Sequence, residues 1–386
     1  MISRLAPLLA PMLGTVLGAV LALAGPTAAL AADLVRVGIA LPLSGAAASY
    51  GADARSGADM AAEQINAGPG ILGGRKIELV YEDDKGTPQG GVAAVQKLMS
   101  VDRVKAVTGG TNSSVVLAEA SITRNRILHI NAAAQADAIT DSGSPYLFQI
   151  NNTVTANSQA FNRYITGTLK PKTVAYMGEN TEFNKTVLEE LRKSLATAGI
   201  ELKEVAVYDS GTNDFTSILT RIRAAKPDML YVADAYPARA AQLWKQVRQL
   251  GGFPQEVMSP GVVIPGMIRP SDGAMNGVIT GEIFMAAADD AAAVGFIQAY
   301  HAKYGADPGK GALVIYEAVT LITSAMDKAG TDADPAALAK VIRDNTWPSP
   351  RGTLHFDAKG RAIAPFFFIQ QVRNGELVEL AKVKAE

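Results

Sequence analysis

Thr111-Asn112-Ser113-Ser114 follows two glycines and separates an apolar run, Val104 to Val107, from a periodic segment, Val115 to Ile122. Gly109 and Gly110 carry no Cβ, so the backbone there can come close to a ligand. Asn112, Ser113 or Ser114 can cap a helix, leaving N–H groups aimed outward. Such N–H groups, with the helix dipole, favour an anion such as a carboxylate. A second apolar run, Ile127 to Ile130, ends in Asn131-Ala132-Ala133-Ala134-Gln135. In open α/β sheets ligands sit outside the carboxyl ends of the strands, so these two ends suggest one site. Ordinary capped turns account for the same pattern.

Motifs for covalent chemistry are missing. There is no G-x-S-x-G elbow, no P-loop and no G-x-G-x-x-G after the first strand; Gly309-Lys310-Gly311 lacks a glycine-rich turn before it. His129, His301 and His355 are far apart and none has metal-ligand spacing. His129 sits in an apolar strand and reads as packing. Glu82-Asp83-Asp84 could hold a hard cation, but an acidic turn leading into a helix explains it better. No cysteine occurs, which rules out disulfides, thiolate metal sites and a lipid anchor on cysteine.

The elements that would carry the two turns alternate. Val35 to Leu41 is a strand, turned by Pro42-Leu43-Ser44-Gly45 into a loop of small residues containing Tyr50. Ala58, Ala61, Ala62 and Ile65 mark a helix. Lys76 to Tyr81 is a strand, and Val92, Val95 and Leu98-Met99 mark the next helix. The first half thus reads βαβαβαβ, a parallel sheet covered by helices. Tyr146 to Asn152 crosses to a second lobe, where strands at 174–177, 201–208, 229–233 and 257–259 alternate with helices. Gly277 to Met285 leads back to the first lobe. Helices at 296–304 and 315–326 follow, with another opened by Asp334-Pro335. The β-rich tail, 353–356, 366–372 and 376–383, would finish the second sheet.

Residues 1–31 fit a secretory signal peptide, with Arg4, an apolar stretch and Ala29-Leu30-Ala31 before the cleavage point. Removing 31 of 386 residues leaves 355, beyond the usual single-core limit, so two domains are expected. The expected boundaries are 32–150 plus 283–350 for the first lobe and 151–282 plus 351–386 for the second. With Arg4 gone, 35 basic and 37 acidic residues remain, a formal charge of −2. That balance argues against a nucleic acid or an anionic membrane as partner. Two lobes joined by several crossings make a hinged cleft suited to ligand-driven closure.

The ordered pieces Val37-Gly38-Ile39-Ala40-Leu41-Pro42-Leu43-Ser44-Gly45, Tyr50-Gly51, Ala61-Ala62-Glu63-Gln64-Ile65-Asn66 and Gly70-Ile71-Leu72-Gly73-Gly74 resemble a known family. Tyr81-Glu82-Asp83-Asp84, Thr111 to Ser114, Tyr236-Pro237 and Gly352 to Asp357 continue the match across residues 33–386. The chain resembles the leucine/isoleucine/valine-binding group of periplasmic solute-binding proteins. The resemblance implies a two-lobed type I fold, an ABC permease as partner, a periplasmic monomer, no cofactor and no enzymatic activity. It places ligand contacts at Asn112 and Ser113, at Ala133, Ala134 and Gln135, at Tyr50, near Phe183, and at the strand end Ala235-Tyr236.

Two departures from the family matter. The position that supplies an acid for the ligand's α-ammonium falls near Gly261, and glycine cannot pair a buried cation. The first serine of the binding turn is Asn112, which can still donate to a carboxylate. The expected ligand therefore carries a carboxylate or amide and need not be an α-amino acid, with Asp234 as a candidate replacement acid. A sensor of the same fold acting on a separate partner is the alternative function. An exported hydrolase using Asp83 and Glu179 is a third, opposed by the missing motifs.

Overall fold

The computed structural model describes residues 34–285, 291–363 and 366–384. The expected signal peptide lies outside the described residues.

The first sheet grows from β1 (Val35–Leu41), whose side chains are nearly all buried. Such continuous apolar runs suit strands covered on both faces. α1 (Ala48–Ala67) leads to β2 (Ile77–Asp83), α2 (Pro88–Ser100) to β3 (Ala106–Gly109), α3 (Ser113–Thr123) to β4 (Leu128–Asn131), and α4 (Asp137–Asp141) to β5 (Leu147–Gln149). The five strands are parallel, in the order β2-β1-β3-β4-β5.

α5 (Val154–Tyr164) begins the second lobe. β6 (Thr173–Glu179), α6 (Glu182–Ala198), β7 (Glu201–Tyr208), α7 (Thr216–Ala224), β8 (Met229–Ala233), α8 (Pro237–Gln249), β9 (Gln255–Met258), the short α9 (Pro265–Ile268) and β10 (Ile279–Glu282) follow. The chain then forms α10 (Ala291–Tyr304), α11 (Lys310–Ala329) and α12 (Pro335–Asp344). α11 packs along α1, and Asp334 caps α12 through Ala336 and Ala337 N–H.

The tail divides, which differs from the expectation. β14 (Phe366–Arg373) and β15 (Glu376–Lys384) do complete the second sheet, in the order β15-β14-β10-β9-β8-β6-β7. β12 (Gly352–Phe356) instead pairs antiparallel with β11 (Trp347–Ser349) and β13 (Ala362–Ile363). This small sheet is held to first-lobe elements. Arg361 bridges to Gln149 of β5, its guanidinium bonds Thr140 and Asp141, and Phe356 meets Phe148 edge-on at 5.5 Å. Of the tail strands, only β14 and β15 therefore join the second sheet.

The acidic triplet also differs. Thr87, not an acid, caps α2. Asp83 organises the loop after β1 by accepting from Leu43 N and Ser44 Oγ. Among the described residues, no cluster of His, Asp or Glu is placed to hold a metal ion, and no helix is long and apolar enough to cross a membrane.

Candidate functional site

The carboxyl ends of β1, β3 and β4 face those of β6, β8 and β9 across one cavity, the arrangement expected for ligand sites in open α/β sheets. It has about 50 Å3 for the centres of water-sized groups, several times what one water needs.

From the first lobe, Tyr50 reaches over the cavity from the first turn of α1, and its Oη donates to the Val262 carbonyl on the opposite side. Burial pushes the Tyr50 hydroxyl pKa up, helped by the nearby charges of Glu282, Asp234 and Asp53. Thr111, Asn112 and Ser113 line the cavity where α3 begins. Asn112 occupies the cap position, but its side chain bonds no helix N–H; its Oδ1 instead accepts from Ser114 Oγ at 3.2 Å. One N–H of its Nδ2 donates to Tyr236 Oη at 2.6 Å, joining the lobes. Ser113 Oγ accepts from Ala136 N at 3.2 Å, which ties the two first-lobe turns together. The first N–H groups of α3 have no acceptor within the helix.

Ala133 and Gln135 line the cavity, but Ala134 does not. Ala134 is buried among α3 and α4 residues, with its N–H on Gly110 O and Asn131 Oδ1. The backbone groups expected to serve a ligand here are spent on the fold: Ala133 N–H bonds Gly110 O, and Ala133 O accepts from Asn151. Gln135 is a brace. Its Oε1 accepts from Asn157 at 2.6 Å, and its Nε2 donates to Gly261 O at 3.0 Å.

From the second lobe come Phe183, in the first turn of α6, and Tyr236, at the start of α8. The Arg239 guanidinium lies over the Tyr236 ring at 4.7 Å, a favourable cation–π position. Asp234 is not in the cavity. It is fully buried, hydrogen-bonded to Tyr208 Oη and Tyr236 N, and paired with Arg239. It thus has no oxygen left for a ligand ammonium. The acid that does line the cavity is Glu179, held by Arg239 at 2.6 Å. Burial pushes the Glu179 carboxyl pKa up against the pull of Arg239.

Gly261 lines the cavity with φ +78°, in the left-handed region that favours glycine. A Cβ there would stand 2.5 Å from Gln135 Nε2. The place where an acid was expected is therefore filled by an amide from the other lobe.

Lys310, at the start of α11, is the contributor that motif reading passed over. It lines the cavity, is 7% exposed, and lies 3.0 Å from Glu282 Oε2. Its Nζ also donates to Gly261 O. The flanking glycines were the available signal: Cβ atoms at Gly309 and Gly311 would crowd Asp53 Oδ2 at 2.6 and 2.5 Å. Asp53 bonds Ala312 N at the head of α11; burial pushes its pKa up to about 6 despite these backbone N–H groups.

Residues 34–376 match the periplasmic binding protein family. The leucine-, isoleucine-, valine-, threonine- and alanine-binding protein of Pseudomonas aeruginosa is 30% identical over 332 residues, 86% of this chain and 88% of that one. A solute-binding protein of an ABC transporter from Rhodopseudomonas palustris, solved with 3,4-dihydroxybenzoic acid, superposes with a TM-score of 0.82 at 26% identity, covering 92% of this chain and 98% of its own. A branched-chain amino acid binding protein from Streptococcus pneumoniae, solved with isoleucine, gives a TM-score of 0.84 at 23% identity over 91% of this chain and all of its own. With two mainly parallel sheets meeting at one cavity, this chain belongs to the periplasmic binding protein family, in its leucine/isoleucine/valine-binding group.

Proposed function

We propose that the protein is the periplasmic solute-binding component of an ABC importer, handing a small carboxylate-bearing solute to membrane permease subunits. It works as a monomer and carries out no covalent chemistry. One observation carries this reading: a single cavity is walled by strand ends of both lobes, with cross-cleft hydrogen bonds from Tyr50 and Asn112. A solute there would be gripped from both sides, so that binding favours closure. The start of α3 and the ammonium of Lys310 supply positive potential for a carboxylate. Phe183 and the Tyr50 ring supply apolar walls. Relatives that bind branched-chain amino acids or a dihydroxybenzoate support the size and acidity of the ligand.

The test is thermal unfolding of residues 32–386 against amino acids, each paired with its deaminated acid and its amide. A ligand at 100 times its dissociation constant stabilises the folded state by about 2.7 kcal/mol. Deleting the gene should then abolish uptake of the compound that shifts the melting curve. Uptake unchanged in the deletion strain would contradict the transport role.

A further inference from the structure

Lys310 and Glu282 form a buried ion pair between elements of different lobes. Lys310 opens α11, which packs along α1 of the first lobe; Glu282 ends β10 in the second sheet. Buried charges are retained only where they are paired, and this pair stands at the cavity wall.

The bonds of the ammonium can be counted. A lysine Nζ has three N–H donors. One goes to the Gly261 carbonyl, and the ammonium stands 3.0 Å from Glu282 Oε2 as an ion pair, which leaves at least one N–H for a group in the cavity. The Gly261 carbonyl, already accepting from Gln135 Nε2, is thus occupied by a cation of the protein itself. Gly261 N–H is spent on Gly281 O. A carboxylate and a carbonyl converging on one nitrogen make a natural seat for an ammonium, and the protein's own lysine fills it. Glu179, the carboxylate lining the cavity elsewhere, is held by Arg239.

We propose that Lys310 is the specificity-determining residue of the cleft. Its ammonium takes the place a ligand ammonium would need, and its remaining N–H meets the ligand's anionic group. The solute is accordingly an organic acid without an α-ammonium. An amino acid would bring a second cation toward Lys310 and leave it without an acceptor. This rests on the proposed function, because it assumes that the cavity takes a small solute.

The experiment is calorimetric titration at neutral pH with two matched pairs, leucine with 4-methylpentanoate and phenylalanine with 3-phenylpropanoate, and with benzoate. The wild-type protein should bind at least one of the acids, ten-fold or more tighter than the matched amino acid. Lys310→Met should lose ten-fold or more in acid affinity. Glu282→Gln keeps the lysine but removes its competing carboxylate, and acid affinity should rise several-fold. A purely structural pair would instead lose affinity in both variants alike, which would overturn the proposal. If Lys310→Met fails to fold, two variants still decide: Lys310→Arg, which keeps the charge, should keep the preference for acids, and Glu282→Gln should strengthen acid binding, while a loss of acid affinity in both would overturn the proposal. Preference of the wild type for leucine or phenylalanine overturns the assignment of Lys310 while leaving solute capture intact. No binding of any of the five compounds counts against the proposed ligand class, and the Lys310 assignment falls with it.

Discussion

Asp234 gives both carboxylate oxygens to Arg239, Oδ2 to Nε at 2.6 Å and Oδ1 to Nη2 at 3.0 Å. The same guanidinium holds Glu179, so one arginine draws together the ends of β6 and β8, where the second lobe meets the cavity. Position 234 therefore shapes that wall without reaching into the cavity. Asp234→Asn should destabilise the protein by about 3 kcal/mol, since removing one partner of a buried pair leaves an uncompensated charge. Glu179 remains to soften the loss. Urea unfolding measures the change; a loss below 1 kcal/mol would mean that Glu179 alone satisfies Arg239.

Gly261→Ala tests the crowding at the cleft floor. The new Cβ would meet the Gln135 amide at 2.5 Å and would sit at φ +78°. Gln135 must then release Gly261 O, while its Oε1 stays on Asn157. Strain at a left-handed position costs about 1–2 kcal/mol. The lost brace adds about 1 kcal/mol. The melting temperature should fall accordingly, and a Gly261→Ala protein as stable as the wild type would refute the close approach. Gly261→Glu, which restores the acid expected from the family pattern, should create no amino-acid site, because Gln135 stands where that side chain would go.

The alternation of strands and helices is legible because buried parallel strands read as apolar runs; Val35–Leu41 and Met229–Ala233 fall where the runs do. Partner choice is not legible in the same way. Gly352–Phe356 and Phe366–Arg373 are both β-rich, yet one joins a small sheet anchored through Arg361 and the other the second sheet. That choice depends on contacts more than 200 residues back, such as Arg361 on Thr140. The turn at Asn112 is readable as a strand end. Lys310 is not, because its meaning comes from Glu282 and Gly261, which reach it only after the chain has crossed between lobes.

Tyr236 Oη accepts the Asn112 amide at 2.6 Å, from across the cavity. Tyr236→Phe removes this bond while keeping the ring under Arg239. A neutral hydrogen bond contributes about 0.5–1.5 kcal/mol net, so the closed arrangement should lose a factor of about 2–10. Small-angle scattering of the ligand-free variant should report a larger radius of gyration than wild type. Equal radii would show that Tyr50 and Lys310 hold the lobes together unaided.

Glu119 is fully buried between α2 and α3, and neither of its carboxylate oxygens has a hydrogen-bond partner among the described residues. His129 Nε2 lies 3.9 Å away, but the two do not make a charged pair at neutral pH. Burial holds the Glu119 pKa well above its usual 4.5, with the Asp84 charge pushing the same way. Burial also holds His129 neutral by lowering its pKa to about 4. For Glu119 the folded pKa exceeds the unfolded one, so its contribution is intact below pH 4.5 and declines as pH rises toward the folded value. His129 has the opposite sign: its contribution is present above its usual 6.5 and is lost as pH falls toward 4. Glu119→Gln mimics the protonated acid and removes only the first dependence. Its melting temperature should match wild type near pH 4.5 and exceed it increasingly at higher pH. The stability gap should grow by up to about 1.4 kcal/mol per pH unit until the folded pKa is passed. A gap that stays constant from pH 4.5 to 8.5 would mean that Glu119 ionises in the folded protein as freely as in the unfolded chain.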